Sequence, residues 1–369
     1  MTARPLPIHT YLIPIGSLVL AVGIRLVGFP MGHEYPVLSI VVSLLAICIL
    51  LTTVFIVLQH AEVLAIRLGQ PYGTLLLTFA VTTVEVSIIV SMMLHGENNP
   101  TLARESVFST VMIVCAGVVG LCLTLGGLHH HQQELKRQGT SAILSVLTAL
   151  TILTLVLPNF TLAAAPGTFS PVQLVFVSFC SILLYGSFVF AQTVRHRDDF
   201  LDDGRPGGDH ASHGISGEAN WGNAALLLIG LIGIVLLAEQ VATGVEDGLA
   251  ALQFQQTDAV VGAFIATLVL LPEALSAIRA ALINELQRSL NIALGSALAT
   301  IGLTIPAVGM ASVLTGRELT LGLTPGDSVL LALILSISIH SFGTGRTTVL
   351  TGLVHLVVFI AFLLLIAFP

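Results

Sequence analysis

Charge is what this sequence has least of. Asp, Glu, Lys and Arg make up 9% of its 369 residues, while 55% are hydrophobic; soluble domains carry about 25% charged residues. A water-soluble globular chain is excluded, and a polytopic membrane protein is indicated. Basic residues number 13, with no basic patch and no interleaving with aromatics, which excludes nucleic acid as a partner. Cysteine is scarce too. Cys48, Cys115, Cys122 and Cys180 lie inside apolar runs with no CxxC spacing and read as small packing residues. There is no HExxH, no paired-Asp motif and no Ser/His constellation at membrane depth. The chain does not read as an enzyme, and no resident cofactor is called for.

What is present is a series of apolar runs. They predict eleven transmembrane helices in an all-α fold: Tyr11–Phe29, Pro36–Leu58, one from Thr74 through Glu85, Ser106–Leu125, Ala142–Leu157, Val172–Thr193, Trp221–Glu239, Val260–Leu282, Leu290–Leu314, Ser328–His340 and Thr347–Phe368. The first lacks a small-residue cleavage site and reads as a retained helix. A short amphipathic helix (His60–Gly73) is expected before the third span, ended by Gly69 and Pro71. The one long polar stretch, 195–220, is rich in Gly, Asp and His and reads as a loop joining two halves. Counting Lys and Arg in the loops gives nine on one side and two, Arg104 and Arg317, on the other. By the positive-inside rule the N-terminus and the long loop are cytoplasmic and the C-terminus is outside.

Without the first span (residues 1–35), five spans precede the long loop (36–194) and five follow it (221–369). Five is odd, so the second set is inverted relative to the first. Each half repeats one pattern: an acidic entry piece (Glu62, Glu239), a carboxylate inside a span (Glu85, Glu273), then a hydroxyl pair opening the next span (Ser106/Thr110, Ser296/Thr300). The hydroxyls are i, i+4 and share a helix face. Thr82 lies one turn before Glu85, and Ser276 one turn after Glu273.

A carboxylate at mid-depth costs about 2.5–3.5 kcal/mol on insertion scales, and ion or proton traffic is the usual reason for it. Inverted repeats bring equivalent helices together near the midplane, so Glu85 and Glu273 are expected to form one site there. Ionised carboxylates are hard oxygen ligands for Ca²⁺, Na⁺ or K⁺, and the six hydroxyls would add neutral oxygens. Pro272 lacks an N–H and should free a carbonyl near Leu268, breaking the helix at the site. Burial and a like-charged neighbour both favour the protonated acid. Cation and proton then compete for the same groups. If the bare site cannot switch sides, obligatory exchange follows. The rival reading is a passive cation channel with a carboxylate filter. His340 and His355, inside apolar spans, read as satisfied core histidines, and His129–His131 as a solvated loop. Glu62 and Glu239 read equally well as solvated helix ends or as cation entry points. Gly343, Gly345 and Gly352 read as a tight turn and close packing.

Three stretches carry a family resemblance. AEVLAIRLGQPYG, leading into the Glu85 span, resembles the first repeat signature of the calcium/cation antiporter superfamily. LPEALSAIRAALINELQRSLNIALGSALATIGLTIP resembles the second, and GRTTVLTGLVHLVVFIAFLL the closing helix of its cation/proton exchanger branch. The match runs from His60 to the C-terminus and in detail looks closest to bacterial ChaA-type antiporters. The resemblance implies ten core helices in two inverted repeats plus one extra, export of cytoplasmic cations against protons through a bacterial inner membrane, and Glu85 and Glu273 as the shared cation/proton site. The branch commonly has Asn three residues before each Glu; here those positions are Thr82 and Leu270, and the amide positions of the following helices are Thr110 and Ala299. Fewer amide oxygens leave room for Na⁺ or K⁺ beside Ca²⁺. The expected partners are these inorganic cations, protons and the lipid bilayer; homo-oligomerisation is left open.

Overall fold

The computed structural model describes residues 9–27, 36–68, 72–95, 99–162, 165–200, 221–251 and 257–368. The fold is all-α. Among the described residues eleven helices follow in order: α1 His9–Val27, α2 Pro36–Leu68, α3 Tyr72–His95, α4 Leu102–His130, α5 Arg137–Phe160, α6 Pro171–Arg195, α7 Trp221–Ala251, α8 Thr257–Leu282, α9 Leu286–Thr315, α10 Pro325–Gly343 and α11 Val349–Ala367. Among the described residues nine of these are long and apolar enough to cross a membrane; α2 and α3 contribute the shorter apolar stretches Leu45–Ala61 and Thr78–Met93. Large apolar side chains such as Phe176, Phe179, Leu350 and Val357 are exposed on α6 and α11. In lipid that is an ordinary outward face.

Helix starts follow local rules. Ser170 and Thr324 each cap a helix through the side-chain oxygen, with Pro171 and Pro325 in the first turn, where the missing N–H costs nothing. Three expectations change. The stretch after Leu58 is no separate helix: α2 runs unbroken to Leu68, because HAEVLAIRL consists mostly of good helix formers. Likewise α7 continues past Glu239 to Ala251. His129 and His130 complete the last turn of α4, where His130 Nε2 donates to the Leu282 carbonyl (2.8 Å). The Asp/His-rich stretch 201–220 lies outside the described residues, as do the side chains of Glu62, Glu239, Glu246, Asp247 and Asp258.

The chain divides into two compact units, Met1–Gly96 with Pro206–Phe254 and Glu97–Arg205 with Gln255–Pro369. Each draws helices from both sides of the long polar stretch. In the first, α7 packs against α1, α2 and α3. Gly230 and Gly233 permit this: a Cβ on Gly230 would stand 2.2 Å from Val57, and one on Gly233 2.5 Å from the Ser17 hydroxyl.

In the second unit, α4, α8 and α9 pack together, and the outer helices cross over. The first half's closing helix, α6, packs on α9, while the second half's, α11, packs on α4. The connecting turns repeat the exchange at opposite ends of α4. Beyond its C-terminal end, β1 (Gln133–Glu134) pairs antiparallel with β2 (Arg346–Thr347), and Arg346 bonds Glu134 across it (2.8 Å). At its N-terminal end, Thr168 bridges Thr320, whose N–H donates to the Pro100 carbonyl (2.9 Å). Gly345 takes φ +78° beside β2, where a Cβ would be strained. Gly352 allows the α11–α4 crossing: its Cβ would come within 2.5 Å of the Thr124 nitrogen.

Candidate functional site: buried carboxylates and unpartnered hydroxyls

In the first unit, Glu85 lies in the middle of α3 and is 2% exposed. Thr82 is buried one turn before it, and Val84, Ile88 and Ile89 surround the position with apolar bulk. The apolar run buries this face of α3, and the carboxylate is carried in with it. Glu62 lies on α2 and Glu239 on α7.

In the second unit, Glu273 lies half-buried on α8 directly after Pro272. The helix does not break there. It runs continuously from Thr257 to Leu282 with Pro272 inside, so the proline costs one backbone hydrogen bond rather than the helix. Ser276, one turn on, is exposed.

Gly262 sets the depth of Glu273. A Cβ at 262 would stand 2.9 Å from the Ser106 nitrogen and 3.0 Å from the Glu105 carbonyl carbon, so α8 and α4 touch backbone to backbone at this level. From there α8 follows α4 along both its earlier and later parts, so the two helices run the same way. Glu273 lies about three turns beyond Gly262. That brings it level with an irregularity in α4: residues Ile113–Val118 form a π turn. The helix α9 has one as well, Thr300–Thr304. π turns are rare and gather at functional sites.

Hydroxyls line the approach to these turns. Ser106, Ser109 and Thr110 on α4 are at most 1% exposed and have no hydrogen-bond partner among the described residues. At the end of the α9 π turn, Thr304 is fully buried in the same condition, and Thr300 opens the turn at 4% exposure. Ser296 is half-buried one turn earlier. Leaving a buried hydroxyl unsatisfied costs about 1–3 kcal/mol, and such groups call for an explanation.

The π turns offer a second pairing of the halves. Ser296 stands four residues before its π turn, and on α4 the residue four before Ile113 is Ser109. Measured this way Ser109, three residues past Ser106, is the counterpart of Ser296, and Ile113 that of Thr300. The Ser-x-x-x-Thr spelling favoured Ser106 and Thr110. Counting from Glu85 and Glu273 alone does not decide the matter, because the connections after the two spans differ in length.

Two histidines resolve differently. His340 is exposed on α10, contrary to its reading as a core residue: the apolar span presents that face outward. His355 is fully buried and bonded through both ring nitrogens. Cys115 and Cys122 are buried in α4, and Cys48 is exposed.

The family of sodium/calcium exchanger proteins matches this sequence twice, over residues 38–194 and 222–368. The chain belongs to that family. It is 46% identical over 364 residues to the y4hA protein of Sinorhizobium fredii, covering 98% of this chain and 97% of the relative. It is 37% identical over 335 residues to the sodium-potassium/proton antiporter ChaA of Escherichia coli, covering 89% of each. Among solved structures, native YfkE superposes with a TM-score of 0.72 at 18% identity, over 98% of this chain and 100% of that one. The H⁺/Ca²⁺ exchanger CAX does so with 0.70 at 14%, over 98% and 89%. These two likenesses concern the fold. As a member of the exchanger family the protein is a multi-pass membrane protein that exchanges cations, and its residues 38–194 and 222–368 fall on either side of the long polar stretch.

Carboxylates and hydroxyls are hard oxygen donors that bind Na⁺, K⁺ or Ca²⁺. A carboxylate also accepts a proton.

Proposed function

We propose that this exchanger is a secondary active cation/proton antiporter of a bacterial inner membrane. It exports cytoplasmic Ca²⁺ and/or Na⁺/K⁺, and inward proton movement drives it by alternating access. The observation that carries the reading is Glu85, a carboxylate 2% exposed inside an apolar helix of a cation exchanger. A group so placed is costly when ionised and empty. It is stable with a cation beside it or a proton on it, and each load displaces the other.

Glu85 and Glu273 are the residues that take cation and proton in turn. Thr82, Ser106, Ser109, Thr110, Ser296 and Thr300 supply neutral oxygens. The scarcity of amides favours Na⁺ and K⁺ as cargo beside Ca²⁺, in keeping with the name of the E. coli relative. The Lys/Arg bias orients the chain with its N-terminus and long loop in the cytoplasm.

The test uses everted membrane vesicles with an internal pH dye, challenged in turn with Ca²⁺, Na⁺ and K⁺ between pH 7 and 9. Each accepted cation should discharge the proton gradient, and Glu85→Gln and Glu273→Gln should each abolish the signal. Normal exchange in both variants would sink the site. Cation flux insensitive to the pH gradient would turn the reading toward a channel.

A further inference from the structure

His355 has no part in the exchange chemistry above, yet it is the buried titratable side chain that reaches the π turn of α4. Three close approaches put it there. Gly352 lies against Thr124 and the Gly120 carbonyl, Gly120 against Leu356 and His355, and Gly117 against the Phe359 ring. α11 therefore runs antiparallel along α4, and its one histidine meets the irregular segment.

The contact is specific. In a regular α-helix the Val119 N–H would donate to the Cys115 carbonyl. Here it goes to the Val114 and Ala116 carbonyls. The Cys115 carbonyl receives His355 Nδ1 instead, at 2.7 Å. A carbonyl only accepts, so Nδ1 carries the proton. Nε2 is then free to accept from the Ser341 hydroxyl on α10, at 3.1 Å. Both ring nitrogens are thus committed, and the neutral tautomer is set by its partners. In α9 the corresponding turn is met by bulk: a Cβ on Gly302 would stand 2.7 Å from that of Tyr185 on α6.

A π turn holds one residue more than the α-helical turn it replaces, and each residue of an α-helix advances the face by about 100°. Resolving the turn into a regular helix would rotate the part of α4 before it by about that angle against the part after it. Ser106, Ser109 and Thr110 all lie before the turn, within the part of α4 that packs on α8. Whatever holds the turn holds the direction in which these hydroxyls point.

We propose that His355 is a positioning residue for transport: by capturing the Cys115 carbonyl it fixes the π turn of α4, and with it the orientation of the hydroxyl oxygens offered to the cation. It acts on cation affinity through α4 and touches no cargo. The inference rests on the reading of the α4 hydroxyls as cation ligands.

The variants are His355→Leu and His355→Gln, assayed in the everted vesicles with Na⁺, K⁺ and Ca²⁺ as probes. Leu fills the space but cannot hold the carbonyl; Gln can donate to Cys115 and accept from Ser341. Leu should raise the apparent KM for the accepted cation about tenfold, the factor corresponding to ~1.4 kcal/mol, with the maximal rate within about twofold. Gln should bring KM back to within about threefold of the wild type. An unchanged KM in the Leu variant overturns the proposal, whether or not the rate falls. So does a Gln variant as impaired as Leu, which would mark a general packing role. If the Leu variant fails to fold, His355→Met, a flexible apolar side chain with no N–H to donate, takes its place with the same expected and overturning results. Glu273→Gln is run alongside. Normal exchange there and in Glu85→Gln defeats the site reading; abolished exchange there with an unchanged KM at His355 defeats this inference alone.

Discussion

His60 Nε2 lies 3.0 Å from the Thr10 carbonyl, whose usual i+4 donor is removed because the residue four ahead is Pro14. The proline removes an N–H from α1, and α2 supplies a replacement from a fully buried ring. The other nitrogen meets Asn223 Oδ1 on α7 at 3.1 Å, so one side chain joins three helices. His60→Leu should lower the stability of the detergent-solubilised protein by about 1–3 kcal/mol, the cost of a buried unsatisfied group. Pro14→Ala restores a donor to Thr10 within α1 and should recover part of that loss. A thermal double-mutant cycle reads the coupling; strictly additive effects would mean that His60 serves the carbonyl in no measurable way.

Gly262 is the contact at which α8 and α4 meet. A Cβ there faces backbone atoms, which cannot turn aside as a side-chain tip can. Gly262→Ala should destabilise the fold by about 1–3 kcal/mol and weaken exchange by displacing Ser106. Gly295→Ala on α9 is the matched control: nothing lies within 4 Å of its Cβ, so it should be neutral or slightly stabilising. Thermal melts and vesicle exchange on the pair would decide the point.

The register set by the π turns is open to test through Ser106 and Ser109. Ser109→Ala should raise the apparent KM for the cation more than Ser106→Ala, by several-fold for one lost oxygen ligand worth ~1 kcal/mol. A larger effect at Ser106 would favour the register read from the Ser-x-x-x-Thr spelling.

Arg104 anchors the outer turn of the second unit. Its Nη1 donates to the Gly322 carbonyl (3.0 Å) while Nε bonds Glu105 (2.8 Å). Arg104→Ala removes the partner of a buried carboxylate and should cost about 3–5 kcal/mol if the pair is fully enclosed, less in proportion to its remaining exposure. Arg104→Lys should recover only part, since a single ammonium cannot make both contacts in the same geometry.

Much of this was legible in the sequence, for a physical reason. In lipid every backbone group must be satisfied within its own helix, so eleven apolar runs become eleven helices. The same constraint made Glu85 and Glu273 conspicuous. What the pattern could not carry was the hydrogen-bond ladder. IVCAGV in α4 and TIGLT in α9 are as apolar as their flanks, and nothing in composition announces a π turn. Ser109 comes forward only when the halves are aligned on their π turns. The extent of α2 is not legible because a polar stretch after an apolar run reads as a boundary, although HAEVLAIRL has strong helix propensity. The role of His60 depends on Pro14, forty-six residues earlier, and becomes apparent only when α1 and α2 are side by side.

The exchange of closing helices bears on how the chain is made. Helix α6 belongs to the first half but packs on α9, and α4 is packed by α11, the last helix in the chain. Neither half can bury its own π turn with its own helices. During synthesis α4 enters the membrane early and waits for its final neighbour until α11 follows some two hundred residues later. Until then the Cys115 carbonyl lacks its His355 donor. The π turn of α4 therefore gains this donor only when α11 is in place beside it.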